Sequence, residues 1–403
     1  MSEPRGRPYD ALVLGGARTP MATYNTHFRD LTEVGLGAHA ARAALTRTGT
    51  AVDRVDHVVF GNAMQTSANA LYGARHVALK AGLPDRTPAL TVNRLCGSGL
   101  QAVATAAQLI ALDEADVVLA GGMENMTQAP HVARGLRSGL KMGHVQLEDA
   151  LLAGLMDTHC GFSMAQTAEN LARDYGITRE EADRFALRSQ QAAAAARAAG
   201  KFRDEIAPVP VRERGKEIQV TEDNHPRPDT TLEALAKLPA AFGGAGFVTA
   251  GNASGIVDGA AALVLASAQA VRSSGAAPIG RVLGCGVTGV PPRIMGIGPV
   301  PAIRMVLERA GLGIGDIDLF EINEAFAAQY LAVEKDLRLD RDRVNVNGGA
   351  VALGHPLGAT GARLVLTLLL ELRRRRLRRG IASACIGGGQ GIALLVEALP
   401  AAA

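Results

Sequence analysis

Twice in this chain a short apolar run ends in a tight turn and opens an alanine- or leucine-rich helix. The first is "TVNRLCGSGLQA" at residues 91–102; the second is "NVNGGAVALGHPLG" at residues 345–358. Glycine at such turns lets the backbone fold tightly where a side chain would obstruct it. Around each junction the same order of elements recurs. Strands are expected at residues 10–17, 57–63, 89–93 and 116–122, with helices at 31–47, 69–80 and 97–112. From residue 276 the alternation returns: strands at 279–287, 316–323 and 343–347, helices at 300–310, 324–338 and 355–376, then two strands flanking "GGGQG". Strands alternating with helices dictate an α/β sheet with helical layers. The matching order, despite low residue identity, predicts a duplicated unit.

Between the halves, residues 125–249 differ in character. They are rich in Arg, Glu, Gln and Pro, carry one alanine-dense helix and have few strand signals. The expected organisation is therefore an N-terminal half (1–124 plus 250–275), an inserted loop domain (125–249) and a C-terminal half (276–403). At 403 residues such a chain has ample core.

Composition excludes several functions. Net charge is +3, aromatic content is 3 % and Trp is absent, which argues against nucleic acid as a partner. The densest basic run, "LRRRRLRR" at 372–379, reads as a solvated helix C-terminus whose cations suit the helix dipole. No apolar stretch has membrane-spanning length. The opening "MSEPRGRPYD" lacks the apolar centre of a signal peptide, so a cytoplasmic location is expected. The four cysteines, Cys96, Cys160, Cys285 and Cys385, are far apart and form no C-x-x-C, so neither a metal site nor a redox pair is signalled.

Four short stretches sit where α/β sheets build sites. Cys96 lies between a β-run and a helix start, whose free N–H groups and dipole favour a nucleophilic thiolate over a buried apolar cysteine. His355, on a glycine-flanked turn, is either a base or oxyanion donor, or a helix-capping histidine. Asn323 in "EINEAF" reads equally as an ordinary helix cap. Cys385 precedes Gly387, Gly388 and Gly389; their bare N–H groups could cradle an oxyanion, or simply make a hairpin turn after a buried cysteine.

Together, "NRLCGSG", "NEAF", "GHPLGATG" and "CIGGGQG" resemble the thiolase family in order and spacing, over nearly the whole chain. "GARTP", "GGMENMTQAP" and "TAGNASGIVDGAA" look like further signatures. Within the family, "TSANALYGARHVALKAGLP", "SMAQTAENLA" and "IMGIGPVPAI" are most similar to the mitochondrial-type 3-ketoacyl-CoA thiolases. The resemblance implies two thiolase-type halves in α-β-α-β-α layers and an inserted loop domain. It also implies a homotetramer, built as a dimer of dimers, or at least a dimer.

It implies, further, reverse Claisen cleavage of 3-ketoacyl-CoA, as in fatty-acid β-oxidation, with coenzyme A as substrate and no bound cofactor. Cys96 would be the acylated nucleophile and His355 its base and an oxyanion donor. Asn323 would hold a water, Cys385 would be the acid/base at Cα, and the N–H groups of Cys96 and Gly387 would form a second oxyanion hole. Ser254 would bond the pantetheine arm, Arg227 would approach the nucleotide, and Met164, Phe242, Ala250 and Phe326 would line the tunnel.

Biosynthetic acetoacetyl-CoA thiolases typically have His where this chain has Ser163, which favours the 3-ketoacyl type. His159, Cys160 and Cys285 read as structural. The alternatives are an acetyl-CoA acetyltransferase, a decarboxylating ketosynthase, and a non-catalytic CoA- or lipid-binding protein.

Overall fold

A computed structural model describes residues 9–139, 141–241 and 246–400. Ten strands form the main sheet: β1 (Ala11–Arg18), β2 (Ala22–Thr23), β3 (His57–Gly61), β4 (Ala89–Val92), β5 (Val117–Glu124), β6 (Val257–Ala266), β7 (Gly280–Gly289), β8 (Leu319–Ile322), β9 (Arg379–Ile386) and β10 (Gln390–Ala398). The path runs β8-β9-β10-β7-β1-β6-β5-β3-β4, with β2 paired to β6.

The duplication is visible in this order. In the first half, β1 pairs antiparallel with β6, β6 antiparallel with β5, and β5 parallel with β3, which pairs parallel with β4. In the second half, β7, β10, β9 and β8 repeat that sequence of senses. The halves meet where β1 pairs antiparallel with β7.

The expected strand at 343–347 is reduced to one bridge between Phe320 and Val344. Asn345 adopts φ 47°, and its side chain takes over the pairing. Oδ1 accepts from Ile322 N at 2.9 Å and Nδ2 donates to Ile322 O at 2.8 Å.

Helices layer the sheet on both sides and through the middle. The outer N-terminal helices are α1 (Glu33–Thr48) and α2 (Gly73–Ala81); α3 (Ser98–Ala111) is central. Helices α4 (Met164–Asp174) and α5 (Arg179–Ala198) belong to the middle region. In the second half α6 (Pro299–Ala310) and α7 (Ala327–Leu337) are outer, and α8 (Leu357–Arg375) is central. Three apolar cores follow: one around α3 and α8 between strands of both halves, one under α1 and α2, one under α6 and α7. Burial of these cores is the main stabilising contribution.

Capping sets the helix starts. Thr32 caps α1, and Ser163 and Thr178 form full capping boxes with Gln166 and Glu181 on α4 and α5. Helices α4 and α5 pack on the second half, where Phe185 stacks on Tyr330 at 4.3 Å between centroids. The middle region also holds a hairpin, Val209–Glu213 with Lys216–Val220. Its turn, Arg214-Gly215, has φ 49° and 80°, as a tight two-residue hairpin requires.

Candidate active site

The Cys96 turn follows β4. Leu95 is held at φ 46°, a strained conformation for a branched side chain. Asn93 Oδ1 accepts from Leu95 N at 2.9 Å, and Ser98 Oγ donates to Leu95 O at 2.7 Å. These bonds project Cys96 from the turn that feeds α3.

Cys96 is half-buried, and its sulfur accepts from Gly387 N–H and from its own N–H. Burial pushes the thiol up to about 11; those two donors oppose the shift and nearby Glu124 adds to it. Desolvation thus opposes the thiolate that the helix start favours.

His355 precedes α8 and is buried. Its backbone N donates to Gly255 O at 3.0 Å. Nδ1 lies 2.7 Å from Thr360 Oγ1, whose hydroxyl is 3.2 Å from Pro356 O. With the hydroxyl donating to Pro356 O, Nδ1–H donates to Thr360 and Nε2 keeps its lone pair. Nε2 is 3.4 Å from Asn323 Nδ2. Burial, then the Arg363 guanidinium, pushes the imidazole down to about 3, so it is neutral.

Asn323 follows β8 and does not cap the next helix, which begins at Ala327. Its N donates to Ser383 O at 2.9 Å. Its buried Oδ1 has no partner among the described residues. A buried carbonyl oxygen left open can accept from a water or a ligand. Its neighbour Glu324 accepts from Ser189 Oγ at 2.7 Å, Asn345 Nδ2 at 2.8 Å and Val351 N at 3.1 Å, fixing the loop.

Cys385 is the penultimate residue of β9, fully buried. Burial, then proximity to Cys96, pushes its thiol well above the usual range. Gly388 and Gly389 turn the chain at φ 79° and 82°. A Cβ on Gly387 would lie 3.2 Å from both Leu95 Cδ1 and Met164 Sδ, so this turn lies directly against the Cys96 loop. Cys385 shares an apolar cluster with Met164, Met295, Ala325 and Phe326. Two thiols, an imidazole and an amide thus converge from both halves.

The remaining expected contacts fall around this centre unevenly. Ser254 N donates to Ala325 O at 3.0 Å, and Ala253 bridges Phe326, so Ser254 and Phe326 are joined. Ala250 is exposed on the turn before Asn252. Arg227 is exposed, its N donating to Gln190 Oε1 at 2.8 Å. Phe242 lies outside the described residues. Ser163 caps α4, His159 is exposed, and Cys285 lies in the central core.

Sequence reasoning missed His225. Its Nδ1 is 2.7 Å from Ala352 O, and its ring would meet a Cβ on Gly255 at 1.9 Å, closing the space behind the His355 turn. No motif pointed to it. Among the described residues no cluster suits a metal ion, and no helix is long and apolar enough to cross a membrane.

Residues 11–269 match the family model "Thiolase, N-terminal domain", and residues 276–398 match "Thiolase, C-terminal domain". The chain is 51 % identical over 386 residues to the mitochondrial 3-ketoacyl-CoA thiolase of Homo sapiens, covering 96 % of this chain and 97 % of that one. It is 48 % identical over 387 residues to an acetyl-CoA acetyltransferase of Pseudomonas aeruginosa, covering 96 % and 98 %. The fold matches human mitochondrial 3-ketoacyl-CoA thiolase in complex with CoA at a TM-score of 0.94 and 50 % identity, over 97 % of this chain and 98 % of that one. It matches the Bacillus anthracis acetyl-CoA acetyltransferase at 0.95 and 46 % identity, over 98 % and 100 %.

The expected cytoplasmic location is overturned by these relatives: the mammalian ones at 49–51 % identity are named mitochondrial. With both halves matched from residue 11 to residue 398, the chain belongs to the thiolase family of acyltransferases.

Proposed function

We propose that this protein cleaves 3-ketoacyl-CoA with coenzyme A, giving acetyl-CoA and a shortened acyl-CoA, and also runs the reverse condensation. The observation that carries the reading is the approach of Asn323 to His355 and of Cys385 and Gly387 to Cys96, on loops drawn from both halves. Relatives named 3-ketoacyl-CoA thiolase and solved in complex with CoA support it.

At rest the Cys96 thiol and the His355 imidazole are both neutral. Cys96 Sγ attacks the 3-keto carbon while His355 Nε2 takes its proton. The C2–C3 bond breaks, leaving acyl-Cys96 and the enolate of acetyl-CoA. The N–H groups of Cys96 and Gly387 hold one thioester oxygen; His355 and a water on Asn323 Oδ1 hold the other. Cys385 delivers the proton to the enolate carbon. CoA then attacks acyl-Cys96, which gives ping-pong kinetics. One thiol cannot be both acylated and the proton donor, so two are needed.

Ser254 bonds the pantetheine arm, Arg227 meets the nucleotide, and Met164, Ala250 and Phe326 line the tunnel. The loop region 125–249 supplies much of this wall. A Cys96→Ser variant with unchanged thiolytic activity would sink the reading. Relatives named acetyl-CoA acetyltransferase favour a second reading, limited to acetoacetyl-CoA. Thiolysis of a chain-length series separates the two: activity confined to the C4 substrate selects the second.

The oligomer we propose is a dimer of dimers. Edge strand β4 carries exposed Leu90 beside exposed Leu71 and Tyr72, a surface suited to a second copy. Exposed Leu136, Met142 and Leu147 in the loop region suit the tetramer contact. Sedimentation velocity that finds a monomer at micromolar concentration would refute it.

A further inference from the structure

Glu124, the last residue of β5, is fully buried and has no part in the steps above. Its carboxylate is surrounded by donors. Oε1 accepts from Asn62 Nδ2 at 3.0 Å and Met64 N at 2.9 Å. Oε2 accepts from Ala63 N at 3.0 Å and Gly358 N at 2.8 Å. Four N–H groups converge on it, an arrangement that an acceptor-only carboxylate satisfies. Burial pushes the carboxyl up to about 8, against the pull of the Met64, Gly358 and Ala63 N–H groups; with N–H donors on both oxygens, the ionised form is the one these contacts fit.

The sharing of Oε2 is the significant contact. Gly358 is in the first turn of α8, three residues after His355, in the second half of the chain. Ala63 follows β3 in the first half. The Ala63 carbonyl in turn accepts from Asn93 Nδ2 at 3.1 Å. Asn93 Oδ1 accepts from the N–H of strained Leu95, the residue before Cys96, at 2.9 Å. A hydrogen-bonded path therefore runs from the Cys96 turn through Asn93 and the Ala63 peptide to Glu124, and on to the His355 turn.

We propose that Glu124 is a positioning residue for the reaction: one carboxylate oxygen locks the His355 turn of one half to the Cys96 turn of the other. The proposal rests on the reading of Cys96 as nucleophile and His355 as its base. Proton transfer and attack demand placement within about half an ångström, so a lock of this kind acts on rate rather than on substrate binding.

The test compares Glu124→Ala, Glu124→Gln and Asn62→Ala. In Glu124→Gln one acceptor oxygen becomes an N–H donor: with the carbonyl at the Oε2 position the amide faces the Met64 N–H, and a neutral carbonyl holds Ala63 and Gly358 more weakly than the carboxylate does, so the lock is loosened while the side-chain shape is kept. Asn62→Ala removes an Oε1 bond and the Asn62 Nδ2 bonds to Met64 O and Met123 O, and leaves the Oε2 path whole. Thiolysis kcat is expected to fall about 100-fold in Glu124→Ala and about tenfold in Glu124→Gln, with KM for CoA within about threefold. Inactivation by iodoacetamide, which reads Cys96 directly, is expected to slow in step. Asn62→Ala is expected to lower Tm while keeping kcat within about threefold.

Glu124→Gln at wild-type kcat overturns the proposal. So does Asn62→Ala losing as much kcat as Glu124→Gln at an equal loss of Tm, since that would make Glu124 only a brace. Glu124→Gln decides even where Glu124→Ala fails to fold. An active Cys96→Ser enzyme refutes the underlying reading instead; an active Glu124→Gln beside a dead Cys96→Ser refutes this proposal alone.

Discussion

Replacing Cys385 by Ala separates the two kinds of chemistry asked of the site. The side chain is fully buried among Met164, Met295, Ala325 and Phe326. Losing one buried heavy atom there costs about 1 kcal/mol, a small part of the roughly 5–15 kcal/mol that holds a fold. Losing a positioned proton donor costs about 10²–10⁴-fold in rate, or about 3–5 kcal/mol of barrier. The effect on thiolysis should therefore far exceed the effect on stability. Acyl exchange should respond differently. Transfer of an acetyl group between acetyl-CoA and labelled CoA needs Cys96 and His355 but makes no carbon–carbon bond. Exchange is expected to stay within about tenfold of wild type while thiolysis and condensation fall at least about 100-fold. Thiolysis within about threefold of wild type would remove Cys385 from the proton path. A parallel fall in exchange and thiolysis, with Tm intact, would place Cys385 in acylation instead.

Thr360→Val removes the only partner of His355 Nδ1 among the described residues. The ring then loses its orienting bond, and kcat is expected to fall about tenfold with KM for CoA unchanged, as steady-state kinetics would report. Glu371 of α8 accepts from Lys201 Nζ of the middle region at 3.0 Å, from Asn347 Nδ2 at 3.0 Å, and from Arg374 and Arg375 of its own helix. Burial raises its carboxyl, but the hydrogen bonds from Asn347, Arg375 and Lys201 outweigh it and hold the group down at about 2. A depressed carboxyl stabilises the fold above its ordinary value of 4.5 and loses that contribution as pH falls toward about 2. Glu371→Gln is expected to lose about 2 kcal/mol in denaturant titrations at pH 7, with the difference from wild type shrinking at pH 3. An undiminished difference at pH 3 would contradict that linkage.

The duplicated α/β order was legible because glycine turns and apolar periods repeat locally, and Cys96, His355 and Cys385 sit on those turns. What escaped depends on contacts between distant segments. The strand expected at 343–347 fails because a single Asn345 side chain substitutes for its pairing with β8. The low thiol pKa expected of Cys96 is opposed by burial, which is invisible at the level of a motif. Glu124 stood in view within "GGMENMTQAP" but offered no local reason to single it out. Its meaning comes from Gly358, 234 residues away. His225 likewise acquires a role only when Gly255 and Ala352 close around it.

The duplication also explains why the site lies where it does. The two strand–turn–helix junctions are equivalent in the repeated order, so the two helices that follow them, α3 and α8, occupy the shared middle layer. They cross at glycine: a Cβ on Gly99 would lie 2.6 Å from Ala362 N, and one on Gly361 would lie 2.1 Å from Leu100 N. Backbone meets backbone at this crossing, so no rotamer change could make room. Close approach of the two helix starts brings the turns before them together, one carrying Cys96 and the other His355. The two copies have then diverged in chemistry. On the proposed mechanism, the first half supplies the nucleophile, and the second supplies the base, the amide and the second thiol. A site assembled across two halves gains functional groups from both but must hold their separation fixed, and neither half alone can do that. The glycine crossing sets how near the turns come, and the Glu124 oxygen shared by Ala63 and Gly358 sets their register. Packing and polar lock act on the same two loops, so weakening either is expected to misplace the imidazole relative to the thiol before it unfolds the protein.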